Sequence, residues 1–328
     1  MRRTAVQILE SILQGEEITV GEANILMAPE LAKLEDIMSA AHYLTRQAFG
    51  KELQMCAIYP AKVGRCSGDC AFCAQSVHHT CAIEPIHVND LDKMEIIDNA
   101  KKLRQAGVRQ YSLVTSGESL TNTEFDIILQ ILQGLKTGTD MGICVSLGKL
   151  TLERAKKLKK AGVSRYHHNI ETCRSYFPQI CSTHSYDDKL NTIKIVKQVG
   201  MELCCGGIIA LGETKEQRVE MAFELKEIDM EGVPINILNA IQGTRLESQK
   251  PLSVDEILRT IAVFRLILPK KVLRIAGGRE KALGEEEYRI YEAGINALLA
   301  GNYLTTSGKS AEQEKDNLRQ VGYCIDIG

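Results

Sequence analysis

Eight short apolar segments alternate with amphipathic helical segments between residues 55 and 300. Such segments, apolar and rich in β-branched residues, are typical of buried strands. The predicted strands span residues 55–61, 110–115, 141–147, 164–168, 201–209, 233–238, 271–275 and 297–300. Since eight successive βα units close readily into a cylinder, we expect an α/β fold of the (β/α)8 TIM-type barrel class. A doubly wound open sheet has the same periodicity and is the alternative.

The segments between the strands have helical spacing and marked ends. Apolar residues recur at helical intervals in residues 96–103 and 127–135, and a further helix is capped by Ser253 and stopped at Pro269. Three helical segments run into a glycine just before the next strand: Gly107, Gly162 and Gly200. Glycine at this point is typical of a helix C-terminus that turns into a buried parallel strand.

The first 50 residues have helical patterns of their own. Thr19 and Glu22 have the spacing of a capping box. Three apolar residues fall on one face of the first predicted helix: Val6, Leu9 and Leu13. We therefore expect an N-terminal helical extension over residues 1–50, and the barrel over residues 51–328 with a C-terminal segment that closes it.

Composition and charge exclude several classes of protein. The chain has a formal net charge of −2 and no cluster of Lys and Arg among aromatic residues, so nucleic acid is not an expected partner. The N-terminus lacks the apolar core of a signal peptide, and no run of about 18 apolar residues predicts a membrane span. We expect a cytoplasmic protein, in which some of the 11 cysteines bind metal rather than form disulfides.

Three of the cysteines form a C-x3-C-x2-C arrangement directly after the first predicted strand: Cys66, Cys70 and Cys73, hereafter the loop set. In a barrel, this loop lies at the carboxyl ends of the strands, where active sites are built. Three thiolates can hold three irons of a [4Fe–4S] cluster and leave the fourth iron open, whereas electron-transfer clusters use four cysteines. The open iron is then available to a substrate or a cofactor.

A structural zinc site is the alternative reading of the loop set. Its fourth ligand would come from Cys81, His78 or His79, which follow in the sequence. Zinc sites usually contain paired C-x2-C spacings, and the chain has no second pair. We therefore favour the iron–sulfur reading and expect these three residues to lie in an exposed loop.

The loop set resembles the motif of the radical S-adenosylmethionine superfamily. The resemblance implies that the amino and carboxylate groups of S-adenosylmethionine chelate the open iron. It also implies that reduction of the cluster releases a 5′-deoxyadenosyl radical, chemistry that belongs to the cofactor while the protein orients it.

Further motifs are similar to those of the biotin synthases. They lie at residues 166–172, 204–214, 233–238, 273–280 and 301–306. The resemblance implies a sulfurtransferase that inserts sulfur into dethiobiotin to form biotin, with the sulfur supplied by a second, buried iron–sulfur cluster. It also implies a homodimer and a flavodoxin or ferredoxin-type reductant.

The resemblance assigns Cys144, Cys204 and Arg274 to the second cluster, but Ser112 stands where the family has a further cysteine. Serine is a harder and weaker iron ligand than thiolate, so we expect Cys56 to replace it. Interior side chains of a barrel stack in layers contributed by alternate strands. Cys56, Cys144, Cys204 and Arg274, hereafter the barrel set, fall on the first, third, fifth and seventh predicted strands. The expected cluster is [2Fe–2S] or a larger variant. An ordinary buried thiol is the alternative for Cys56.

The resemblance also implies residues around the two small molecules. Those expected near S-adenosylmethionine are Phe72, Ser116, Gly117, Glu118, Glu171 and Lys189. Those expected near the ureido ring of dethiobiotin are His167, Asn169 and Asn236. Lys189 stands where an arginine is expected, so a solvated helical lysine is the alternative; a packed histidine is the alternative for His167.

Two competing functions belong to different classes. One is a radical S-adenosylmethionine paralogue that acts on another small substrate, as in hydrogenase-cofactor maturation or pyrrolysine synthesis. The other is a non-catalytic iron–sulfur carrier or a zinc-stabilised binding module. We expect Cys173, Cys181 and Cys324 to have packing or surface roles, because no constellation includes them.

Overall fold

The computed structural model describes residues 3–304 and 306–325, so that Thr305, in the last motif, and the ends of the predicted segments 1–50 and 51–328 lie outside the described residues. Its strands are parallel and are β1 (Glu52–Lys62), β2 (Gln110–Thr115), β3 (Gly142–Ser146), β4 (Arg165–His167), β5 (Glu202–Cys204), β6 (Gly207–Ile209), β7 (Gly232–Ile237), β8 (Val272–Ile275), β9 (Ala297–Leu299) and β10 (Cys324–Ile325). The ring closes where β9 pairs with β1, from Gln54↔Ala297 to Cys56↔Leu299. The barrel is confirmed and the open sheet is excluded.

The predicted fifth strand, residues 201–209, is divided into β5 and β6, both of which pair with β7. Between them a Cβ atom on Gly206 would lie 2.0 Å from the carbonyl oxygen of Pro234 in β7, so only glycine allows this approach. Pro234 also has no N–H for the ladder at this point. Helical and strand periodicity carry no sign of this interruption. Because β5 and β6 form one interrupted strand, β8 is the seventh strand of the ring.

The helices are α1 (Ala5–Leu13), α2 (Val20–Met27), α3 (Leu34–Phe49), α4 (Lys93–Gln105), α5 (Asn122–Gly138), α6 (Leu152–Lys160), α7 (Phe177–Ile180), α8 (Tyr186–Gln198), α9 (Lys215–Ile228), α10 (Val254–Ile267), α11 (Arg279–Leu283), α12 (Arg289–Glu292) and α13 (Ala311–Gln320). Gly107, Gly162 and Gly200 have φ values of 98°, 98° and 69°, as the helix-ending glycines require. Ser253 caps α10 as predicted, accepting a hydrogen bond from the backbone N–H of Glu256.

The N-terminal helices pack against the outside of the barrel, with α3 and α2 on α10 and α2 also on α9. The capping box at Thr19 and Glu22 is confirmed. The predicted face of α1 is only partly covered: Leu9 is buried, together with Ile8 and Ile12, while Val6 and Leu13 are 56% and 42% exposed. One consequence of this cover is that α10 is buried on nearly all sides from Ile257 to Ile267, including Arg259 and Arg265.

The C-terminal segment contributes both to the ring and to its surroundings. It supplies β9, and it ends in β10, which pairs with the start of β1 through Glu52↔Cys324 and Leu53↔Ile325. Arg279, only 1% exposed, connects this segment internally: its guanidinium donates to Glu287, Glu314 and the carbonyl oxygen of Leu299.

Candidate functional site

A cavity of about 400 Å³ opens at the carboxyl ends of the strands. Side chains from the ring and from the loop after β1 line it together. The predicted site residues among its lining are Cys56, Phe72, Cys73, Ser112, Cys144, His167, Asn169, Glu171, Cys204, Asn236 and Arg274. The barrel set therefore lies at one cavity, together with part of the loop set.

The barrel set is brought together by strand register. Cys56 lies on β1, Cys144 on β3, Cys204 on β5 and Arg274 on β8, and side chains at matching heights on these strands face the axis. The Nη1 atom of Arg274 donates to the Sγ atom of Cys204 at 3.4 Å. The Nε and Nη2 atoms of Arg274 are buried without a hydrogen-bond partner among the described residues. Three thiols beside orphaned cationic donors fit a sulfur-rich anionic group such as an iron–sulfur cluster.

The acidities of these groups differ. Burial raises the pKa of Cys56 and raises the pKa of Cys144 to about 12. Burial also raises the pKa of Cys204, but a hydrogen bond from His167 and the charge of Arg274 outweigh it, so that this pKa falls to about 7. The pKa of Arg274 is lowered by burial and raised more strongly by the surrounding thiols, which keeps the guanidinium a cation.

Ser112 lines the same cavity beside Cys144, with which it is in register. Two further lining residues were not predicted. Gln110 accepts a hydrogen bond from Cys144 Sγ at 3.2 Å, and Arg165 pairs with Glu202 at 2.7 Å. Strand alternation could have identified Gln110, because it lies two residues before Ser112 on β2 and so shares its face.

Cys205, next to Cys204, lies in the apolar core and not at the cavity. This agrees with the expectation that only one of two adjacent strand residues can point inward. Cys205 can therefore serve as a matched control for substitutions of Cys204, whose side chain lines the cavity.

The loop set is held by backbone hydrogen bonds. The N–H of Cys66 donates to the carbonyl oxygen of Gln75 at 2.9 Å, and the side chain of Gln75 accepts from the N–H of Gly64. The three sulfurs of the loop set do not all lie within 4.8 Å of one another. A single tetrahedral zinc ion, about 2.3 Å from each sulfur, would hold them about 3.8 Å apart. The loop set is therefore not arranged around a single ion.

The expectation for Cys181 is wrong. Its Sγ atom, a ring nitrogen of His184 and the Sγ atom of Cys70 lie within 4.8 Å of one another. Asp69 connects the two loops, because its carboxylate accepts hydrogen bonds from Cys181, Ser182 and Thr183. We call this contact the Asp69 bridge. Cys173 is buried in the core and Cys324 is exposed, as expected.

The residues expected near S-adenosylmethionine divide into two groups. Phe72 and Glu171 line the cavity, whereas Ser116, Gly117, Glu118 and Lys189 do not. The hydroxyl of Ser116 donates to the carbonyl oxygen of Gly64 at 2.7 Å, which fastens the start of the loop that carries the loop set. Glu118 is exposed and pairs with Lys149 at 2.7 Å.

Lys189 and Glu171 form an ion pair of 3.2 Å, with side chains 13% and 18% exposed. The alternative of a solvated helical lysine is therefore wrong. Burial lowers the pKa of Lys189, but the charges of Glu171 and Cys70 outweigh it and leave this pKa raised. Glu171 has a φ of 69°, a left-handed conformation that is rare for a non-glycine residue and is often found at functional sites.

The two asparagines are fixed by backbone groups. Asn236 donates to the carbonyl oxygen of Gly207 at 3.2 Å and accepts from the N–H of Gly277 at 3.1 Å. Asn169 accepts from the N–H of Gly206 at 3.0 Å. Each carboxamide keeps unused hydrogen-bonding capacity, since an amide offers two donors and two acceptor lone pairs. His167 faces Cys204 instead, in register with it on the neighbouring strand.

Comparison with known families agrees with this geometry. Residues 62–225 match the model of the Radical SAM superfamily, and residues 234–324 match the Biotin and Thiamin Synthesis associated domain. Biotin synthase of Acetivibrio thermocellus is 46% identical over 309 residues, covering 94% of this chain and 95% of that protein. Biotin synthase of Clostridium tetani is 40% identical over 328 residues, covering all of both chains. The chain belongs to the biotin synthase family.

Among solved structures, this biotin synthase family member is similar to methylornithine synthase, with a TM-score of 0.84, 19% identity and coverage of 97% of both chains. The hydrogenase maturase of Carboxydothermus hydrogenoformans gives a TM-score of 0.82 at 17% identity, covering 98% of this chain and 79% of that one. At these identities the likeness shows the fold alone. The sequence relatives therefore favour biotin synthase over the paralogue alternative.

Membership of the family carries a [4Fe–4S] cluster, S-adenosylmethionine and an auxiliary iron–sulfur cluster as cofactors.

Two of the candidate zinc ligands make other contacts. A ring nitrogen of His79 bonds the carbonyl oxygen of Cys73 at 2.8 Å, and the thiol of Cys81 donates to the carbonyl oxygen of Gln242. His78 is exposed as expected, but His79 and Cys81 are half-buried. Within residues 3–304 and 306–325, no helix is long and apolar enough to cross a membrane.

Proposed function

We propose that this biotin synthase closes the thiophane ring of biotin with a barrel set that includes Cys56 in place of the usual second-strand cysteine. The substrate is dethiobiotin and the reaction inserts a sulfur atom. One observation carries the proposal: three strand thiols and a buried guanidinium line the same cavity as Cys73 of the loop set and both asparagines.

In this proposal the loop set holds the [4Fe–4S] cluster. The cluster would supply the electron for reductive cleavage of bound S-adenosylmethionine. The chain's own task is to hold the loop and to exclude solvent. Two hydrogen bonds support this role. Gly64, at the start of the loop, donates its N–H to the side chain of Gln75 and accepts at its carbonyl oxygen from the hydroxyl of Ser116, which follows β2.

The barrel set holds the auxiliary cluster. Cys56, Cys144 and Cys204 offer thiolates, which iron prefers to the hydroxyl of Ser112. Arg274 stabilises the anionic cluster as a buried cation, and its two unpartnered nitrogens are the donors available for that purpose. The low pKa of Cys204 favours its deprotonation, which iron ligation requires.

Dethiobiotin is held by its ureido ring. The unused donors and acceptors of Asn169 and Asn236 match a group with two N–H donors and one carbonyl oxygen. His167 lines the same part of the cavity and contributes one hydrogen bond. These residues orient the substrate and transfer no protons, because hydrogen atoms are removed by the adenosyl radical.

S-adenosylmethionine would be held by residues at the loop set and at the carboxyl ends of the strands. Phe72 would contact the adenine, and Glu171 would accept hydrogen bonds from the ribose. The backbone of Ser116, Gly117 and Glu118 would serve the methionyl amino group, and Lys189, paired with Glu171, would supply a cation for the methionyl carboxylate.

The assignment of Cys56 is tested by two variants, Cys56→Ser and Ser112→Ala. After anaerobic reconstitution, iron and sulfide are counted and both clusters are classified by Mössbauer spectroscopy. We expect Cys56→Ser to lose the auxiliary cluster and keep the [4Fe–4S] cluster, while Ser112→Ala keeps both. An intact auxiliary cluster in Cys56→Ser would defeat the assignment.

The reaction is tested by product analysis with dethiobiotin. Biotin is expected together with methionine and 5′-deoxyadenosine, whereas 5′-deoxyadenosine without biotin would point to a paralogous substrate. We further propose a flavodoxin or ferredoxin-type electron donor, a homodimer and a cytoplasmic location. The cytoplasmic proposal is supported by the 11 cysteines, all of which are free thiols in the structure.

A further inference from the structure

A second group of metal-type ligands lies beside the loop set. The Sγ atoms of Cys70 and Cys181 and a ring nitrogen of His184 are within 4.8 Å of one another. The Sγ of Cys181 is 3.2 Å from Nδ1 of His184. Two thiols and an imidazole at this spacing match the ligand set of a single tetrahedral Zn²⁺, Fe²⁺ or Co²⁺ ion, with one position left for water.

The group is held in place mainly by contacts outside its metal-binding atoms, although Thr183 Oγ1 also lies 3.4 Å from both Cys181 Sγ and His184 Nδ1. The Asp69 bridge accepts from the backbone N–H groups of Ser182 and Thr183 at 2.9 and 3.1 Å, and from their hydroxyls at 2.6 and 3.0 Å. The ring of His184 packs edge-on against Phe177, with centroids 5.8 Å apart. The ligands are therefore positioned before any ion binds.

We propose that the cluster-free protein binds one thiophilic divalent ion between Cys70, Cys181 and His184. Ion binding displaces the two thiol protons to solvent and involves no change of oxidation state. Cys181 is 4% exposed and the imidazole half-buried, so the ion is shielded on the protein side.

The site shares Cys70 with the loop set. A single ion here and a [4Fe–4S] cluster therefore exclude each other, an inference that rests on the proposed role of the loop set. Zinc held there blocks assembly.

The first test is a Co²⁺ titration of the anaerobic cluster-free protein, followed by thiolate-to-cobalt charge-transfer and tetrahedral ligand-field absorption. We expect one equivalent to bind with two thiolates. Cys181→Ser and His184→Gln should each weaken binding at least about a hundredfold, while the double variant Cys66→Ser/Cys73→Ser and the core control Cys173→Ser should not. Circular dichroism verifies that every variant is folded.

The opposite pattern would overturn the site: full Co²⁺ binding in Cys181→Ser, with loss in Cys66→Ser/Cys73→Ser, would assign the ion to the loop set alone. The second test measures [4Fe–4S] reconstitution after preloading with one equivalent of Zn²⁺. Preloading should reduce cluster yield severalfold in the parent and not in Cys181→Ser. Equal inhibition in both would refute mutual exclusion. Failure to assemble a [4Fe–4S] cluster even without zinc would instead count against the proposed function.

Discussion

The loop set and the barrel set bring sulfur ligands together in two different ways. The loop set comes from eight consecutive residues, 66–73, and its shape is maintained by local backbone hydrogen bonds. The barrel set comes from four strands that are far apart in sequence, and it exists only because the ring closes in one register. The ligands of the loop set are therefore close in sequence, with one further connection through the Asp69 bridge, whereas the barrel set depends on the whole ring. Substitutions within each set distinguish the two.

The largest effect is expected from Cys73→Ser in the loop set. Iron should bind at the barrel set as before, but turnover should fall below detection, because no adenosyl radical forms without the [4Fe–4S] cluster. Mössbauer spectroscopy and 5′-deoxyadenosine release measure the two outcomes. If the auxiliary cluster disappeared too, the two sets would not be independent.

The barrel set is tested by Cys204→Ser with Cys205→Ser as its matched control. The two residues are adjacent on the chain, but Cys204 lines the cavity and Cys205 lies in the core. Cys204→Ser should lose the auxiliary cluster and biotin formation while still releasing 5′-deoxyadenosine. Cys205→Ser should keep both clusters and lose about 1–3 kcal/mol of stability, the cost of burying a hydroxyl. Equal cluster loss in both variants would show that facing does not decide ligation.

A smaller effect is expected from Arg274→Met, with Arg274→Lys for comparison. Methionine fills similar space and removes the positive charge, so the auxiliary cluster should assemble in lower yield and have a more negative reduction potential. Lysine restores the charge and not the planar donors, so its potential should lie between those of the other two. Spectroelectrochemistry measures the potential; an unchanged value in Arg274→Met would rule out an electrostatic role.

The smallest effect is expected from Glu124→Gln, which removes the ion-pair partner of Lys62 at the end of β1, the strand that leads into the loop set. Burial raises the pKa of Glu124, but the contact with Lys62 at 2.6 Å and the capping bonds to Thr121 outweigh it and leave this pKa lowered. A depressed carboxyl pKa contributes stability that is present above the unfolded value of about 4.3 and is lost as pH falls below it. Glu124→Gln should therefore cost about 1 kcal/mol at pH 7 and progressively less below pH 4.3. Denaturant unfolding at both pH values measures this; a constant difference would contradict it.

The ring, its helices and the loop set could be predicted from the sequence, because strand and helix periodicity and cysteine spacing are local signals. The division between β5 and β6 could not, since it arises from contact between Gly206 and Pro234 of another strand. The face of α1 was predicted only in part for a similar reason: α2, α3 and the barrel decide which side of it is covered.

The site was predictable wherever a motif or strand alternation applied. The exception is Cys181 with His184, which lies more than 100 residues beyond Cys70 and is brought to it by the Asp69 bridge. No spacing rule connects two loops that follow different strands. The alternative of a solvated Lys189 is wrong for a similar reason, because its partner Glu171 lies on another element.

Closure of the ring between β9 and β1 has a consequence for biosynthesis. The ribosome synthesises β1, which carries Cys56, early. One of its two partners in the ring, β9 at residues 297–299, is synthesised near the end. Non-local pairing of this kind forms late in folding. The closed interior that surrounds the barrel set is therefore complete only after residues 297–299 have been synthesised.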